Sequence, residues 1–223
     1  MFELFYCGIG IGYQDIFHKE ISAYKQVLNT EIGKTPLLEA MCGAFVTFVP
    51  LKMEIGLKNS SGYTQYDGYL MNGTPYRSQS KNEFTEIVLT PTLELTSGFD
   101  IRHQISIGKW ERDLTDYIEE YSTTKFATGL GWHSRSSYGY EIDVFLGTGH
   151  TKTKLVVDNF NFNSLLKEGQ SFDCFNLRLG YQQFWVSIEH EKWGTLRTKQ
   201  GIMVSPETKS KRANVLIGKR WLF

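Results

Sequence analysis

The feature that most constrains this chain is a regular series of stretches in which apolar and polar residues alternate. Such alternation is typical of β-strands with two different faces, because successive side chains of a strand point in opposite directions. The pattern predicts strands of about ten to thirteen residues, whereas strands of soluble sheets cluster near five or six. The predicted strands are 2–13, 38–48, 51–59, 83–95, 99–110, 123–134, 138–149, 171–181, 184–193 and 212–223.

The connections between these strands fall into two classes. After every second strand the connection is a tight turn, with the sequences VP, TSG, RSS and QQ. The other connections are predicted as long loops at 14–37, 60–82, 111–122, 150–170 and 194–211. Tight turns at one end and long loops at the other are typical of antiparallel membrane barrels, and an even strand number places both termini at the turn end. No internal repeat or linker divides the chain, so a single domain over 1–223 is predicted.

The two faces of the predicted strands differ in composition. One face carries apolar side chains such as Ile9, Ile55 and Leu130, and the other carries charged side chains and most of the strand glycines. On a solvated exterior these glycines would weaken the strands, whereas inside a narrow barrel they make room for long Arg and Glu side chains. The pattern therefore favours a polar interior and a lipid-facing apolar exterior over a soluble barrel or sandwich.

The last predicted strand carries a more specific signal. Its sequence VLIGKRWLF alternates apolar residues and ends in Phe223, with Lys219 as a departure from the usual apolar run. In this respect, and over its whole length, the chain resembles bacterial outer-membrane β-barrel proteins. The resemblance implies a ten-stranded antiparallel up-and-down transmembrane barrel in the cell outer membrane, with both termini periplasmic. It also implies that Trp221 and Phe223 belong to the signal read by the barrel-assembly machinery.

Composition excludes several other classes of protein. The 24 basic residues balance the 24 acidic ones, so nothing indicates nucleic-acid binding. No run of about 18 apolar residues predicts a transmembrane helix. No signal peptide is visible, and for an exported protein we expect one to have been removed. Cys7, Cys42 and Cys174 fit no metal spacing and allow at most one disulfide; plain packing is the favoured interpretation. No metal or cofactor is predicted.

The charges of the polar face can be sorted by depth, because odd strands run outward from the turns and even strands return. Nearly matched acids and bases fall in the half nearer the turns, and we expect a network of ion pairs that obstructs the lumen. These residues are Glu54, Glu94, Asp100, Arg102, His133, Arg135, Glu141, Asp143, Arg178 and Arg220. The outer half is predicted to form a slightly acidic vestibule, with Lys58, Glu86, Glu189 and Glu191.

Two of the predicted loops carry local patterns. In 14–37, Asp15 is a plausible N-cap, and Phe17, Ile21, Tyr24 and Leu28 recur at helical spacing, so a short amphipathic helix is predicted. It could be a lid, a plug or an interfacial helix. The loop 150–170 is unusually apolar, so it packs on neighbouring loops or offers a contact patch to a protein partner.

The loop 194–211 and the residue after it are basic. Lipopolysaccharide phosphates are natural neighbours for such a segment, and an ordinary solvated loop is the alternative. The possible contact residues are Arg197, Lys199, Lys209, Lys211 and Arg212.

Three functions are open on the sequence alone. The first is a non-enzymatic surface protein whose loops contact lipopolysaccharide, other proteins or a host; the second is a narrow channel for small solutes or ions. The third is a hydrolase of lipid A or peptides, with His150 and His190 near the loops, or His133 and Ser134 near a turn, as its candidates. No catalytic residue is assigned, because adjacent strand residues face opposite ways and the Asp-His couple of the ten-stranded omptin proteases is missing.

Overall fold

The computed structural model describes residues 5–46, 49–69, 73–96, 98–114, 117–157, 162–200 and 203–223. Within them, ten strands form one closed antiparallel barrel, which confirms the predicted all-β fold. The barrel strands are β1 Phe5–Ile21, β2 Val27–Val46, β3 Leu51–Tyr69, β4 Pro75–Glu94, β5 Phe99–Asp113, β6 Ile118–Arg135, β7 Tyr140–Val157, β8 Phe162–Tyr181, β9 Phe184–Thr195 and β12 Glu207–Leu222. A small separate hairpin, β10 Thr198–Gln200 and β11 Met203–Ser205, precedes the last strand.

The barrel is closed by the first and last strands. Their register runs from Tyr6 opposite Leu222 to Ile21 opposite Glu207, and the Phe223 N–H donates to the Phe5 carbonyl at 2.9 Å. Each of the other barrel strands pairs with its neighbours along the barrel sequence. Closure leaves no free sheet edge, so each barrel strand has a hydrogen-bonded neighbour on both sides.

The two ends of the barrel are named here by their connections. The turn end holds the first described residue, Phe5, the last residue, Phe223, and the connections 47–50, 95–98, 136–139 and 182–183. Gly139 has a φ of 85°, which glycine adopts without strain and which suits a tight turn. The loop end holds the connections 22–26, 70–74, 114–117, 158–161 and 196–206.

The long loops predicted at 14–37, 60–82, 111–122, 150–170 and 194–211 are wrong in extent, because most of their residues continue the strands. The helix predicted in 14–37 is also wrong: β1 runs to Ile21, and β2 begins at Val27. Asp15 is no N-cap, and its carboxylate lies 3.7 Å from the Lys34 ammonium on the next strand.

Among the described residues, no helix is long and apolar enough to cross a membrane. Part of the apolar stretch predicted as a partner contact, 158–161, lies outside the described residues.

The outward surface of the barrel has two zones. In the half nearer the turn end, outward side chains are large, apolar and exposed, and together they form what we call the apolar belt. Its members include Phe5, Ile9, Ile11, Leu38, Ile55, Leu57, Ile87, Leu93, Ile107, Leu130, Ile142, Leu146, Leu179, Val186, Ile188, Val215 and Ile217. Nearer the loop end, most outward positions carry polar and charged side chains, such as Asp15, Glu83, Lys109 and Lys211, and Ile32 and Tyr63 are among the exceptions.

Candidate functional site: a closed lumen

Inward-facing charged residues gather in three clusters along the lumen. The first, the turn-end cluster, centres on Arg102 of β5. Its Nε and Nη2 donate to the two carboxylate oxygens of Asp100 at 2.6 and 2.8 Å, and its Nη1 donates to Asp143 at 2.6 Å. The His133 ring lies 3.5 Å from the same Asp100, which is fully buried. The flat guanidinium thus bridges two carboxylates in the fork geometry that it prefers.

Two further ion pairs complete the turn-end cluster. Glu54 accepts a hydrogen bond from the Tyr6 hydroxyl and lies 3.5 Å from the Arg178 guanidinium. Arg220 donates to Glu141 at 3.3 Å, and its guanidinium lies 5.3 Å from the centre of the Tyr6 ring. The structure thus brings together most of the predicted network. Glu94 is half-buried opposite Asp100, and Arg135 is exposed at the barrel rim opposite Glu141.

The second, or middle, cluster joins two carboxylates to two cations. Lys125 donates to Glu86 at 2.8 Å and to Glu191 at 2.7 Å, and Arg212 donates to the same two carboxylates. The guanidinium of Arg212 also lies 4.1 Å from the centre of the Phe84 ring. Each carboxylate therefore contacts two cations, which offsets the cost of burying it.

A second ion pair of the middle cluster involves Lys58 and Glu189. The Lys58 ammonium donates to Glu189 at 2.5 Å and lies 3.8 Å from Glu39. Asn214 and Asn176 donate to the two oxygens of Glu189 at 2.8 and 3.1 Å. The predicted acidic vestibule of Lys58, Glu86, Glu189 and Glu191 is therefore wrong, because all four side chains are buried and the acids are matched by cations.

The third, or loop-end, cluster surrounds Arg112, which is fully buried. Its Nε donates to Glu31 at 2.6 Å, and its Nη1 donates to Glu119 at 2.7 Å and lies 3.5 Å from Glu20. The guanidinium also lies 5.3 Å from the Trp110 ring. The sequence pattern does not predict this cluster, because its residues lie in or next to the segments predicted as loops. The signal that could have found it is parity, since each residue continues the inward alternation of its strand.

Polar and aromatic side chains fill the space around Arg112. Asn82 donates to Glu31 at 2.5 Å, and its own carbonyl accepts from the Trp110 indole N–H at 2.6 Å. The His18 ring lies 2.8 Å from the Ser210 hydroxyl and packs edge-on against Trp110. These contacts satisfy buried polar groups and leave little room in the lumen.

The space between the clusters is small. A cavity of about 20 Å³ lies between the loop-end and middle clusters, lined by His18, Phe84, Trp110 and Lys125 among others. A second, of about 50 Å³, lies next to Glu54, Arg178 and Glu189. A single water needs about 10–15 Å³ of such space, so these cavities suit one and a few water molecules. At these two levels the described side chains thus leave only small spaces in the lumen.

The candidate catalytic groups do not meet. His150 and His190 are exposed on the outer face, where His150 stacks on Phe126, whereas the neighbours Glu189 and Glu191 point inward. His133 lies in the lumen, but Ser134 faces outward. Among the described residues, no group of His, Cys, Asp and Glu side chains is arranged to hold a metal ion.

Two of the three cysteines contradict the prediction that they serve only in packing. Cys7 of β1 and Cys42 of β2 face each other across the two strands and form a disulfide on the outer surface. Plain packing is therefore wrong for these two residues. Cys174 is a free thiol, buried toward the lumen.

The basic residues predicted as lipopolysaccharide contacts are divided by the structure. Arg197, Lys199, Lys209 and Lys211 are exposed at the loop end. The prediction that Arg212 contacts lipopolysaccharide is wrong, because even positions of β12 point inward and the Arg212 side chain is buried in the middle cluster.

At the start of β12, the hydrogen bond from Lys25 at 2.7 Å lowers the pKa of Glu207. At the other end of the strand, Trp221 and Phe223 are exposed at the turn end.

Comparisons with known proteins identify the fold. The crystal structure of the outer membrane protease OmpT from Escherichia coli aligns with 99% of this chain and 97% of its own length, at a TM-score of 0.61 and 8% identity. The translocator domain of autotransporter NalP from Neisseria meningitidis aligns at a TM-score of 0.48 and 9% identity, over 96% of this chain and 88% of that domain.

Ail, the attachment invasion locus protein of Yersinia pestis, aligns at a TM-score of 0.40 and 12% identity, over 98% of this chain and 99% of Ail. No protein-family model and no curated sequence matches the chain. At these identities the likeness concerns the fold and carries no activity with it. The chain is thus a ten-stranded closed antiparallel β-barrel with the fold of bacterial outer-membrane barrels.

Proposed function

We propose that this protein is an integral protein of a Gram-negative outer membrane, a closed barrel whose loop-end half projects beyond the lipid to contact other molecules. The observation that carries this proposal is the apolar belt, in which large side chains are exposed on every side of the barrel. Soluble proteins rarely expose continuous apolar surface of this extent, because it drives aggregation. A bilayer removes that cost for a barrel whose backbone groups are paired.

The orientation follows from the same fold. In this proposal the turn end, with both termini, is periplasmic, and the loop end faces outward. The Cys7–Cys42 disulfide supports export, because disulfides persist in oxidising compartments such as the periplasm. Trp221 and Phe223, exposed on the closing strand, remain the proposed contact of the barrel-assembly machinery.

The interaction surface is the loop-end half. Its strands continue past the apolar belt with polar outward side chains, so a collar of barrel wall would stand in water above the lipid. The proposed contacts of this collar are lipopolysaccharide, through Arg197, Lys199, Lys209 and Lys211, and a protein or host surface. The stretch 150–170, now mostly strand, is the candidate for a protein partner.

Membrane insertion is tested by refolding the purified chain with phospholipid vesicles and floating the vesicles on a density gradient. We expect the protein to float with the lipid, to resist extraction at high salt, and to precipitate when detergent and lipid are both removed. A protein that stays monodisperse in buffer without detergent would refute the proposal.

The closed lumen is tested by planar-bilayer recording. We expect no steady, porin-like conductance from the wild type, because side chains fill the lumen at three levels. Lys125→Ala together with Arg212→Ala removes both cations of the Glu86–Glu191 pair and should raise the frequency of brief openings. A large steady current through the wild type would instead support the narrow-channel alternative. Turnover of lipid A or peptide that is lost in His150→Ala or His190→Ala would support the hydrolase alternative.

A further inference from the structure

Lysines on the outer surface beyond the apolar belt have different surroundings on the two sides of the barrel. On β4 and β5, each of the described outward lysines has an acid next to it. Lys81 lies 2.6 Å from Glu83, and Lys109 lies 2.9 Å from Glu120. These lysines are neutralised by the protein itself.

On the side formed by β9, β12 and β1, outward lysines face other lysines. Lys192 is directly opposite Lys211, and Lys209 is directly opposite Lys19. We call these four residues the lysine patch. Like charges opposite each other on one face of a sheet destabilise it, so two such pairs side by side point to an anion that binds from outside.

Acids near the lysine patch offset only part of its charge. Glu207 lies 3.5 Å from Lys209 but also accepts a hydrogen bond from Lys25 at 2.7 Å, and Asp15 pairs with Lys34. Asp173 is opposite Lys192 in the register, and the hydrogen bond that its carboxylate accepts from Thr148 at 2.9 Å leaves it charged. The four lysines of the patch outnumber Glu207 and Asp173, so the patch keeps a surplus of positive charge.

A groove of about 500 Å³ on the outer surface of β6 to β9 begins at this patch. Lys192, His190 and the Asp173 carboxylate line one end of it. Leu130, Leu146 and Phe175 line its apolar part. The side chains of Leu130 and Leu146 are 66% and 59% exposed, so the groove presents apolar surface that a ligand could cover. The small side chains of Thr128 and Thr148 leave the depression open.

The groove runs obliquely from the level of the lysine patch into the apolar belt. The register joins Lys192 through Asp173 and Thr148 to Thr128 on β6. On β9, Lys192 lies beyond the last apolar outward residue, whereas on β6 Thr128 lies between the apolar Phe126 and Leu130. The groove therefore has a charged end at the level of the lysines and an apolar end at the level of the belt. These two ends match the headgroup and the acyl chain of a membrane lipid.

We propose that the groove and the lysine patch together bind one phosphate-bearing membrane lipid, with an acyl chain along Leu130 and Leu146 and its phosphate at Lys192 and Lys211. The inference rests on the proposed membrane location. The two parts of the proposed site can be tested separately, because phosphate recognition requires the lysines and acyl-chain binding requires the groove.

The test is a titration of the detergent-solubilised protein, with bound lipid counted by native mass spectrometry. The probes are diphosphorylated lipid A and the same lipid after removal of its phosphates. The charge variant is Lys192→Glu with Lys211→Glu, and its matched control is Lys81→Glu with Lys109→Glu on the opposite side. The groove variant is Leu146→Trp, and its matched control is Leu57→Trp, an exposed belt position on β3.

We expect the wild type to prefer the phosphorylated lipid by about tenfold or more, since each basic residue near an anionic lipid surface contributes about a fivefold effect. The charge variant should lose that preference, and its control should keep it. Leu146→Trp should weaken binding of both lipids, unlike Leu57→Trp. Should the charge variant fail to give the near-ultraviolet circular dichroism of the wild type, Lys192→Gln with Lys211→Gln tests the same point.

An unchanged preference in the charge variant, or an equal loss in its control, would overturn the proposal. These outcomes leave membrane insertion intact, because each variant is also floated with vesicles. A wild type that is soluble without detergent would instead refute the proposed function, and a barrel that floats but shows no lipid preference refutes only this inference.

Discussion

The turn-end and loop-end halves of the barrel have similar interiors and different exteriors. Inside, Arg102 holds Asp100 and Asp143 near the turns, and Arg112 holds Glu31 and Glu119 near the loops, each at 2.6 or 2.7 Å. Outside, Ile9 and Asp15 lie on the same face of β1. Ile9 belongs to the apolar belt of the turn-end half, whereas Asp15 pairs with Lys34 in the loop-end half. The interior is set by the need to fill a narrow cylinder, and the exterior by the surroundings of each half.

This contrast also explains which predictions failed. In the turn-end half, an apolar exterior and a polar interior produce the alternation that identifies a strand. In the loop-end half polar and apolar side chains occur on both faces, so the backbone remains a strand while the two-face sequence pattern is lost. The sequence pattern therefore predicts loops there, and it does not reveal the cluster around Arg112.

The largest effect is expected from the loop-end interior. Arg112→Met leaves Glu31 and Glu119 buried without their cation, and breaking a buried ion pair in this way costs about 3–5 kcal/mol. We expect the free energy of unfolding in vesicles to fall by that amount in urea titrations. Arg77→Met, at an exposed pair with Asp67, is the matched control and should leave the midpoint almost unchanged. Equal effects would mean that Arg112 is not buried.

The second prediction compares the two exteriors along a single strand. Ile55→Arg places a charge on the apolar belt, and such substitutions near the bilayer midplane cost about 2–4 kcal/mol. Gln65→Arg places the same charge on the same face of β3 nearer the loop end, where we expect little change. The measurement is the free energy of unfolding in vesicles. Similar losses at both positions would break the division into two zones.

The third prediction concerns close packing in the turn-end interior. A Cβ at Gly131 would overlap Asp100 Oδ1 and Arg102 Nε, so Gly131→Ala must displace that ion pair. Overpacking of this kind costs about 1–3 kcal/mol. At Gly56, also inward, the nearest atom to such a Cβ is 3.8 Å away, and Gly56→Ala should be close to neutral. Urea titration distinguishes the two, and comparable losses would contradict the cluster geometry.

The smallest effect is expected at the loop-end exterior. Lys109→Ala removes an exposed lysine that contacts Glu111 and Glu120, and exposed ion pairs contribute little because water and salt screen them. We expect no resolvable shift of the unfolding midpoint at physiological salt. A clear loss of stability would show that this surface is shielded from solvent, and would point to a contact over the collar.

The class of fold, the number of barrel strands and the apolar face of each strand can be read from the amino-acid sequence, because period-two alternation and tight turns are local properties of the chain. Parity also identifies most of the turn-end network. The length of the strands, the burial of Arg112 and Arg212 and the pairing of Cys7 with Cys42 become known only from the folded barrel. These features depend on register between strands distant in sequence, which a local pattern does not contain. The lysine patch has the same origin, since the register of β9 and β12 places Lys192 opposite Lys211, and Lys19 meets Lys209 only when the last strand closes on the first.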